Sequence, residues 1–305
     1  MMVSQQKVEK VVSVQNVTNL ITDIKSLFKG LVLISNVLPV FTGLWLALYF
    51  TGSSLADNLG IVLLTLIGST MVMGGALVLN NWYDVDIDTV MERTKNRPTV
   101  TGTIPLKVVL GIGIALSIFG MVLLLFTTME AVIYAFIGWF TYVILYTMWS
   151  KRRYAFNTII GSVSGAVTPL IGWSAIDSSF HLVPIMLFLI LFVWQMPHTF
   201  AIAIKKYDEY KAAGVAMLPV VRGMRNTKWQ NFFYVVCLLP LPFYLDSLGF
   251  VFITIATLLN VVWLAVSVGG FFTKSDFKWA QLNFIYSVNY IAIMFTMMVI
   301  VTFFN

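Results

Sequence analysis

The sequence is poor in cysteine and in charged residues, and both shortages restrict what the chain can be. Cys237 is the only cysteine among 305 residues, so the chain cannot form an internal disulfide or a metal cluster held by several thiolates. Charged residues make up 10% of the sequence, whereas 59% of the residues are hydrophobic. This balance is far from that of a water-soluble domain and predicts a polytopic membrane protein.

The N-terminal tail shows none of the features of a targeting segment. Residues 1–27 are polar and contain no short apolar core with a cleavage site, so we expect no secretory signal, and they are not the Arg-rich, acid-poor type of an organelle presequence. Several apolar side chains share one helical face near the end of this tail: Leu20, Ile21, Ile24, Leu27 and Phe28. The pattern favours either an amphipathic helix on the membrane surface or an extension of the first span.

Long apolar runs are abundant. Nine of them approach the ~20 residues that a helix needs to cross a bilayer. They cover residues 28–50, 58–80, 107–127, 130–149, 158–176, 182–204, 230–246, 248–271 and 280–303. The predicted fold is an all-α polytopic membrane protein with two domains in sequence: a cytoplasmic tail over residues 1–27 and nine transmembrane helices over residues 28–305.

Positive charge is missing from one side of this arrangement. With the N-terminus inside, all 19 Lys and Arg residues fall on the cytoplasmic side, where short basic loops belong. The opposite loops contain acids only: Asp57, Glu130, Asp177 and Asp246. The C-terminus is therefore predicted to be extracytoplasmic, and the net charge of +6 is interpreted as membrane topology rather than as affinity for nucleic acid.

Acidic residues follow the second apolar run directly. If the helix continues through them, Asn80, Asp84 and Asp88 lie at positions i, i+4 and i+8 and share one face. Like charges so spaced repel one another, and Mg²⁺ would relieve the repulsion because it takes oxygen ligands and is usually completed by substrate phosphates. The alternative interpretation is a solvated helix end.

Two further polar clusters lie on the same predicted side. Lys151, Arg152 and Arg153 follow the fourth run, and a second long loop follows the sixth. The three bases alone are also typical of a simple topology signal. The loops after the second and sixth runs both place acids before a Pro-x-x-x-Gly segment, at 98–102 and 219–223. This weak repeat predicts two similar four-helix halves plus a ninth helix, around a central cavity open to the cytoplasm.

Carboxylates and bases at the end of membrane helices suit a reaction in which a diphosphate leaves an apolar substrate. Mg²⁺ and basic side chains stabilise the charge on a departing diphosphate. A carbocation left behind needs a dry pocket, in which each aromatic face contributes ~2 kcal/mol or more. An isoprenoid tail would lie among apolar helices while its diphosphate stays at the rim. These properties fit a prenyl transfer reaction.

Three segments resemble the UbiA-type intramembrane prenyltransferases, and within them the branch that farnesylates heme. They are NNWYDVDIDTVMERTKNRP from residue 80, SKRRYAFNTIIGSVSGAVTPLIGW from residue 150, and WQMPHTFAIAIKKYDEYKAAGVAMLPVVRG from residue 194. The resemblance implies a multi-pass protein of a bacterial cell membrane. It also implies a Mg²⁺-dependent reaction of farnesyl diphosphate with a vinyl group of heme B and with water, which gives heme O and diphosphate.

The resemblance also implies roles for individual residues. Metal binding falls to Asn80, Asp84 and Asp88, which with Lys151 and Arg152 form the catalytic set. The diphosphate would be steadied by six bases: Arg93, Lys95, Arg97, Lys151, Arg152 and Arg153. Asp208 and Glu209 would complete the metal site or orient Lys205. Contact with heme is assigned to His198, Lys205 and Lys206.

One departure from the family pattern concerns the second loop. Relatives that prenylate aromatic rings carry a second pair of aspartates there, whereas Lys205 or Lys206 takes the first place in this sequence. A cation weakens the case for a second metal and suits an acceptor with carboxylates, such as the heme propionates. His198 is interpreted either as an axial ligand or hydrogen-bonding partner of heme, or as a hydrogen-bonded residue at the kink after Pro197.

Two other functions fit parts of the pattern. One is prenyl transfer to an aromatic quinone precursor, which would use the same diphosphate site. The other is secondary transport, but transporters usually place their site near the bilayer midplane, whereas these charges cluster at one membrane face. Membrane lipid and a downstream heme-modifying membrane enzyme are the further expected partners.

Overall fold

The apolar runs form helices, since a helix satisfies its backbone hydrogen bonds within the segment even where no water is present. The structure is a computed structural model that describes residues 21–304, and its regular elements in that range are helical. Most of the predicted tail, including Leu20, lies outside the described residues. The described part of the first helix, α1, covers residues 21–27 and ends in a turn at residues 28 and 29.

The other elements follow in chain order. The first half contains α2 (Gly30–Thr51), α3 (Leu59–Tyr83), α4 (Val85–Val90), α5 (Pro98–Thr101), α6 (Leu106–Leu125), α7 (Met129–Phe140) and a π-helical continuation of α7 (Thr141–Ser150). The second half contains α8 (Asn157–Ala166), α9 (Thr168–Ser174), α10 (Leu182–Lys205), α11 (Tyr207–Ala212), α12 (Leu218–Leu238), a 3₁₀ helix (Leu241–Leu248), α13 (Gly249–Gly269) and α14 (Asp276–Val301).

Seven helical segments in residues 21–304 are long and apolar enough to cross a membrane. They are Gly30–Thr51, Leu59–Tyr83, Leu106–Leu125, Met129–Ser150, Leu182–Lys205, Leu218–Gly269 and Asp276–Val301. The predicted run 158–176 is missing from this set because it is divided at Val167 into two short helices, α8 and α9. The segment Leu218–Gly269 covers two predicted runs, which the 3₁₀ helix separates.

Small residues allow α3 and α6 to pack closely. A Cβ atom added at Gly75 would lie 2.4 Å from Ser117 Oγ, and one added at Gly120 would lie 2.6 Å from the Gly68 carbonyl oxygen. Side chains larger than hydrogen therefore do not fit at these contacts. The close packing fixes the position of α3, whose C-terminal end carries the acidic face.

The contact between α2 and α9 is equally close, and it leads to a prediction about stability. A Cβ atom at Gly172 would lie 1.9 Å from the Val40 carbonyl oxygen, so the backbone would have to move. Gly172→Ala is expected to destabilise the protein by about 1–3 kcal/mol, the usual range for overpacking. The measurement is the midpoint of thermal unfolding in detergent.

Gly111→Ala is the matched control for that substitution. Gly111 also lies within a long apolar helix, but a Cβ atom added there would have no other side chain or neighbouring helix of residues 21–304 within 4 Å. Alanine at this position should leave the midpoint unchanged or raise it slightly, because alanine has the higher helix propensity. Equal midpoints for Gly172→Ala and Gly111→Ala would contradict the packing argument.

The loops after α3 and α10 share the same order of elements. Each contains a short helix, α4 or α11, and then a proline-led helical turn that ends at a glycine, Gly102 (φ 78°) or Gly223 (φ 80°). Glycine is required at both positions because L side chains rarely adopt positive φ.

The two loops are also in direct contact. Side chains from α4, the end of α10 and the segment before α12 pack in one apolar cluster: Ile87, Met91, Ala203, Val215 and Met217. This contact brings the two polar clusters of the sequence to the same end of the helices.

Candidate active site

The acidic face at the end of α3 is continuous, although the helix is interrupted. Asp84 ends α3 and begins α4 with φ −90° and ψ 14°. Even so, the Asp84 amide donates to the Asn80 carbonyl over 3.0 Å, and the Asp88 amide donates to the Asp84 carbonyl over 2.9 Å. Helical hydrogen bonding therefore passes through the junction, and Asn80, Asp84 and Asp88 keep their shared face. All three side chains are buried.

Basic side chains from two other segments pair with these carboxylates. Lys151, which directly follows the π-helix, forms an ion pair with Asp84. Arg97 Nη1 lies 2.5 Å from Asp88 Oδ2, and both side chains are buried. The acidic face is thus held against the loop before α6 and the end of the π-helix. Two carboxylates with bases on both sides form an environment suited to an anion bound through a metal ion.

Arg152 makes a second, more exposed pair at the edge of the site. Its two Nη atoms donate to the two carboxylate oxygens of Asp86 over 2.6 and 2.7 Å. These hydrogen bonds hold the pKa of Asp86 below its ordinary value and raise the pKa of Arg152. The same guanidinium lies 3.6 Å from Asp84 Oδ1, so Arg152 connects the rim with the buried acid.

Lys29 is a site residue that the sequence interpretation missed. Its Nζ donates a hydrogen bond to Asn80 Oδ1, and its backbone has a positive φ of 48° between α1 and α2. Asn81 anchors the same segment, since its Nδ2 donates to the Leu27 carbonyl over 2.7 Å. The sequence interpretation placed Lys29 on the cytoplasmic side and gave it no role in the site. Its position at the start of the first predicted run, 28–50, was the available signal.

Three of the predicted diphosphate bases form no ion pair with Asp84 or Asp88 in the described part of the chain. Arg93 and Arg153 are exposed. Lys95 pairs with Glu92 over 2.6 Å at the surface of the same loop. The structure therefore brings Arg97, Lys151 and Arg152 to the acids, whereas Arg93, Lys95 and Arg153 stay at the surface with their roles as predictions only.

The second loop repeats the backbone geometry of the first, but the two positions that match Asp84 and Asp88 carry no carboxylate. Lys206 ends α10 and begins α11, as Asp84 does between α3 and α4. The Tyr210 amide donates to the Lys206 carbonyl over 3.0 Å, which is the counterpart of the bond between Asp88 and Asp84. A base and a tyrosine thus take the places of the two aspartates, in line with the departure noted in the sequence.

Asp208 and Glu209 do not join the first acidic face. Asp208 is exposed, and Glu209 Oε1 accepts from Lys206 Nζ over 2.6 Å. Over residues 21–304, no three His, Cys, Asp or Glu side chains are grouped so that they could hold a metal ion. Any metal at this end of the helices would depend on Asp84 and Asp88, with other ligands from outside the protein.

Those two carboxylates do fit a partial magnesium site. Asp84 Oδ1 is buried and has no hydrogen-bond partner among the described residues. A buried anionic oxygen of this kind has capacity for a cation. Mg²⁺ is typically bound through one or two carboxylates and completed by water and substrate phosphates, so the absence of a larger ligand group here is compatible with it. Asn80 is hydrogen bonded to Asp84 Oδ2 over 2.8 Å and positions that side chain.

His198 packs in an aromatic layer between α10 and α14. Its ring is stacked on Trp194 at 4.6 Å and on Phe284 at 5.3 Å between centroids. Its Nδ1 lies 2.8 Å from Ser287 Oγ. Lys205, two helical turns further on, places its Nζ 4.4 Å from the Phe284 ring centroid. His198 and Lys205 therefore meet the same aromatic side chain.

An interhelical cavity of about 240 Å³ begins one helical turn from the acidic face. Ala76 and Leu77 of α3 line it next to Asn80, and Tyr146 of the π-helix lines it next to Lys151. Its wall is mainly apolar and includes aromatic rings: Trp139, Tyr142 and Tyr146. Gln195 and Thr199 of α10 reach the cavity, whereas His198 is not among its lining residues.

The sequence of this chain matches a known protein family. The sequence profile of the UbiA prenyltransferase family matches residues 36–288. A protoheme IX farnesyltransferase from Oceanobacillus iheyensis is 54% identical over 288 residues, covering 94% of this chain and 92% of the relative. A protein of the same name from Bacillus mycoides is 52% identical and covers 97% of both chains.

Solved structures show the same fold at low sequence identity. A digeranylgeranylglyceryl phosphate synthase superimposes with a TM-score of 0.76 at 19% identity, over 93% of this chain and 99% of that one. A UbiA homolog from Archaeoglobus fulgidus, bound to DMAPP and Mg²⁺, gives a TM-score of 0.66 at 16% identity, over 90% and 99% of the two chains. With a profile match over most of its length, the chain belongs to the UbiA prenyltransferase family.

Proposed function

We propose that this chain transfers a farnesyl group from farnesyl diphosphate to a vinyl group of heme B, with addition of water, to give heme O and diphosphate. The observation that carries the proposal is the 54% identity to proteins named protoheme IX farnesyltransferase, over 94% of the chain. The buried pairs of acids and bases at the end of α3 support it, because the leaving group of this reaction is a diphosphate.

The acids at the end of α3 and the bases around them would have different roles in binding the diphosphate. Asp84 and Asp88, with Asn80 beside them, would hold Mg²⁺, as the relatives solved with Mg²⁺ suggest. When bound, Mg²⁺ neutralises charge on the departing diphosphate. Lys151 and Arg97 already contact the two carboxylates and lie in position to bind phosphate oxygens. Lys29 and Arg152 would enclose the anion from the other sides, and Arg93, Lys95 and Arg153 would attract it to the surface.

The cavity beside this site would take the farnesyl chain. It runs along α3 from Leu77 to Ser69, about 12 Å at the rise of an α-helix. Its aromatic rings offer faces to a carbocation, and its apolar wall excludes most water until the carbon–carbon bond has formed. We place it at the centre of the bundle, open to the cytoplasmic side.

The heme acceptor would lie against α10 and α14. The Phe284 ring, which meets both His198 and Lys205, offers a flat apolar surface for a porphyrin. Lys205 and Lys206 would pair with its propionates. His198 would ligate or hydrogen bond the heme, and its Nδ1 contact with Ser287 would fix the ring, as second partners fix other heme-binding histidines. Asp208 and Glu209 would orient these two lysines, since Glu209 already pairs with Lys206.

The histidine role gives a testable expectation. His198→Ala should weaken heme B binding about tenfold or more and shift its Soret band, because an axial or hydrogen-bonding nitrogen is lost. Titration of heme B followed by absorbance measures both. His181→Ala is the control, since His181 stacks on Trp173 near the other ends of the helices. An unchanged band and affinity in His198→Ala would remove His198 from the heme site.

We further propose a topology for the whole chain. Residues 28–305 would form nine membrane spans, counting the pair α8 and α9 as one span and dividing Leu218–Gly269 into two. The two similar loops support a duplication of four-helix halves. Residues 1–27 would form a cytoplasmic tail, with the C-terminus outside a bacterial plasma membrane. Lipid surrounds the bundle, and a membrane enzyme that modifies heme O further would be the downstream partner.

One assay tests the proposed reaction. Purified protein is incubated with heme B, farnesyl diphosphate and Mg²⁺, and the porphyrin product is identified by mass. A gain equal to farnesyl plus water, dependent on all components, is the expected result. A parallel incubation replaces heme B by an aromatic acid. A prenylated aromatic product with unmodified heme would instead favour a quinone precursor as the acceptor.

A further inference from the structure

Gln195 lies in the wall of the interhelical cavity with an unsatisfied amide group. Its side chain is among the residues that line the cavity, on the face of α10 that points into it. Its Oε1 atom is buried and has no hydrogen-bond partner within the described part of the chain. Native proteins keep few such atoms, because a buried acceptor without a donor is costly. An acceptor of this kind in a cavity indicates a ligand that brings its own hydrogen.

Three serine and threonine hydroxyl groups in the same wall differ from Gln195. Ser162 Oγ donates to the Thr158 carbonyl over 2.7 Å, Ser164 Oγ to the Gly161 carbonyl over 2.6 Å, and Thr168 Oγ1 to the Gly165 carbonyl over 2.6 Å. Each of them satisfies its own helix backbone. The Gln195 amide oxygen, in contrast, receives no hydrogen bond from residues 21–304.

Gly165 makes the room in which this amide lies. A Cβ atom at Gly165 would lie 2.3 Å from Gln195 Nε2 and 3.0 Å from Oε1. The amide therefore rests directly against the backbone of α8, and any side chain at residue 165 would displace it. This contact restricts the rotation of the amide and keeps it at the cavity wall.

The proposed reaction requires a water molecule at one defined moment. Cleavage of the bond between C1 and oxygen sends its electron pair to diphosphate, and the vinyl electrons then form the new carbon–carbon bond at C1. The inner vinyl carbon is left as a cation. The oxygen of one water forms a bond to that carbon, and the second proton of this water is released to solvent. Without a positioned water, the cation loses a proton from the neighbouring carbon and becomes an alkene.

We propose that Gln195 is the residue that positions this water, an inference that rests on the proposed function. The amide oxygen accepts one hydrogen of the water and so directs the lone pair of the water oxygen away from the wall, toward the cation. Gln195 is ten residues before Lys205, about 15 Å along α10 from the lysine that would pair with the heme propionates, and it lines the cavity proposed for the farnesyl chain.

The test compares the products of three variants with those of the wild-type protein. Gln195→Met keeps the length of the side chain and removes the acceptor, and it should lower the ratio of hydroxylated to dehydrated farnesyl heme about tenfold. Gln195→Glu retains an acceptor oxygen and should keep the hydroxylated product. Gly165→Ala pushes the amide aside and should lower the ratio in the same direction. Mass spectrometry separates the two products, which differ by one water, and labelled water confirms the source of the oxygen.

Two results would overturn the role of Gln195. A wild-type ratio in both Gln195→Met and Gly165→Ala overturns the role of Gln195. So does a loss of diphosphate release in Gln195→Met that matches its loss of porphyrin product, because Gln195 would then act before the cation forms. If Gln195→Met does not fold, Gly165→Ala and Gln195→Glu decide by the same ratio. Absence of any farnesylated porphyrin from the wild-type protein would instead refute the proposed function itself.

Discussion

Replacing Asp84 with asparagine is expected to lower the rate of diphosphate release from farnesyl diphosphate about 10³-fold, in the presence of heme B and Mg²⁺. Among residues 21–304 the buried Oδ1 atom of Asp84 has no hydrogen-bond partner, and its Oδ2 atom accepts hydrogen bonds from Asn80 Nδ2 and Lys151 Nζ. Asparagine preserves the shape of the side chain and removes the charge that would hold the metal. The loss should appear in kcat and should not be restored by saturating Mg²⁺.

Glu92→Gln is the matched control for Asp84→Asn. Glu92 is an acid that follows α4, but its side chain is 72% exposed and pairs with Lys95 at the surface. The same chemical change there should leave the rate within about twofold of wild type, since exposed ion pairs contribute little. The proposed metal role fails if Asp84→Asn releases diphosphate as fast as Glu92→Gln does. Thermal unfolding of both variants shows whether a slow rate reflects a damaged fold.

The positions of the long helices were predictable because apolar length has a direct physical meaning in a bilayer. The interruptions within these helices were harder to predict. The run 158–176 reads as one apolar segment, yet Pro169 has no amide hydrogen to donate, and a new helix, α9, begins beside it. The division between the runs 230–246 and 248–271 was predicted, but the 3₁₀ helix Leu241–Leu248 that forms it was not.

The acidic face was predictable from spacing alone, whereas its basic partners were not. Helical spacing of four residues survives the junction at Asp84, so the face remained intact. Which bases reach it depends on how separate segments fold. The three adjacent bases at 151–153 lie in the turn after the π-helix, where Lys151 and Arg152 reach the acids and Arg153 is exposed. Lys29 reaches Asn80 because its backbone adopts a positive φ in the turn between α1 and α2. Lysine rarely adopts this conformation, so the sequence does not predict it.

The second loop has the same backbone geometry as the first but different side chains at the matching positions. Lys206 and Tyr210 stand where Asp84 and Asp88 stand in the first loop, and helical hydrogen bonding passes through both junctions. The sequence showed that the aspartate pair was missing. It did not show that Asp208 would be exposed on the outer face of α11. A bundle with one acidic and one basic rim suits a reaction between a metal-bound diphosphate and an acceptor that carries carboxylates.

Arg97→Met is expected to destabilise the protein by about 3–5 kcal/mol, because it leaves Asp88 as a buried carboxylate without its cation. The Arg97 and Asp88 side chains are 8% and 5% exposed and lie 2.5 Å apart. Thermal unfolding in detergent measures the loss. The surface pair provides the control: Lys95→Met removes a base from the same loop, but its partner Glu92 stays in water, and the change should be within about 0.5 kcal/mol.

The double variant Asp88→Asn/Arg97→Met separates stability from catalysis. Replacing both members of a buried ion pair by neutral groups removes the uncompensated charge, so most of the lost stability should return. Activity should remain about 10³-fold below wild type, because the neutral pair can bind neither Mg²⁺ nor phosphate oxygens. A stable and active double variant would show that Arg97 and Asp88 only hold the loop in place. A stable and inactive one would assign the pair to the diphosphate site, since the fold no longer depends on it.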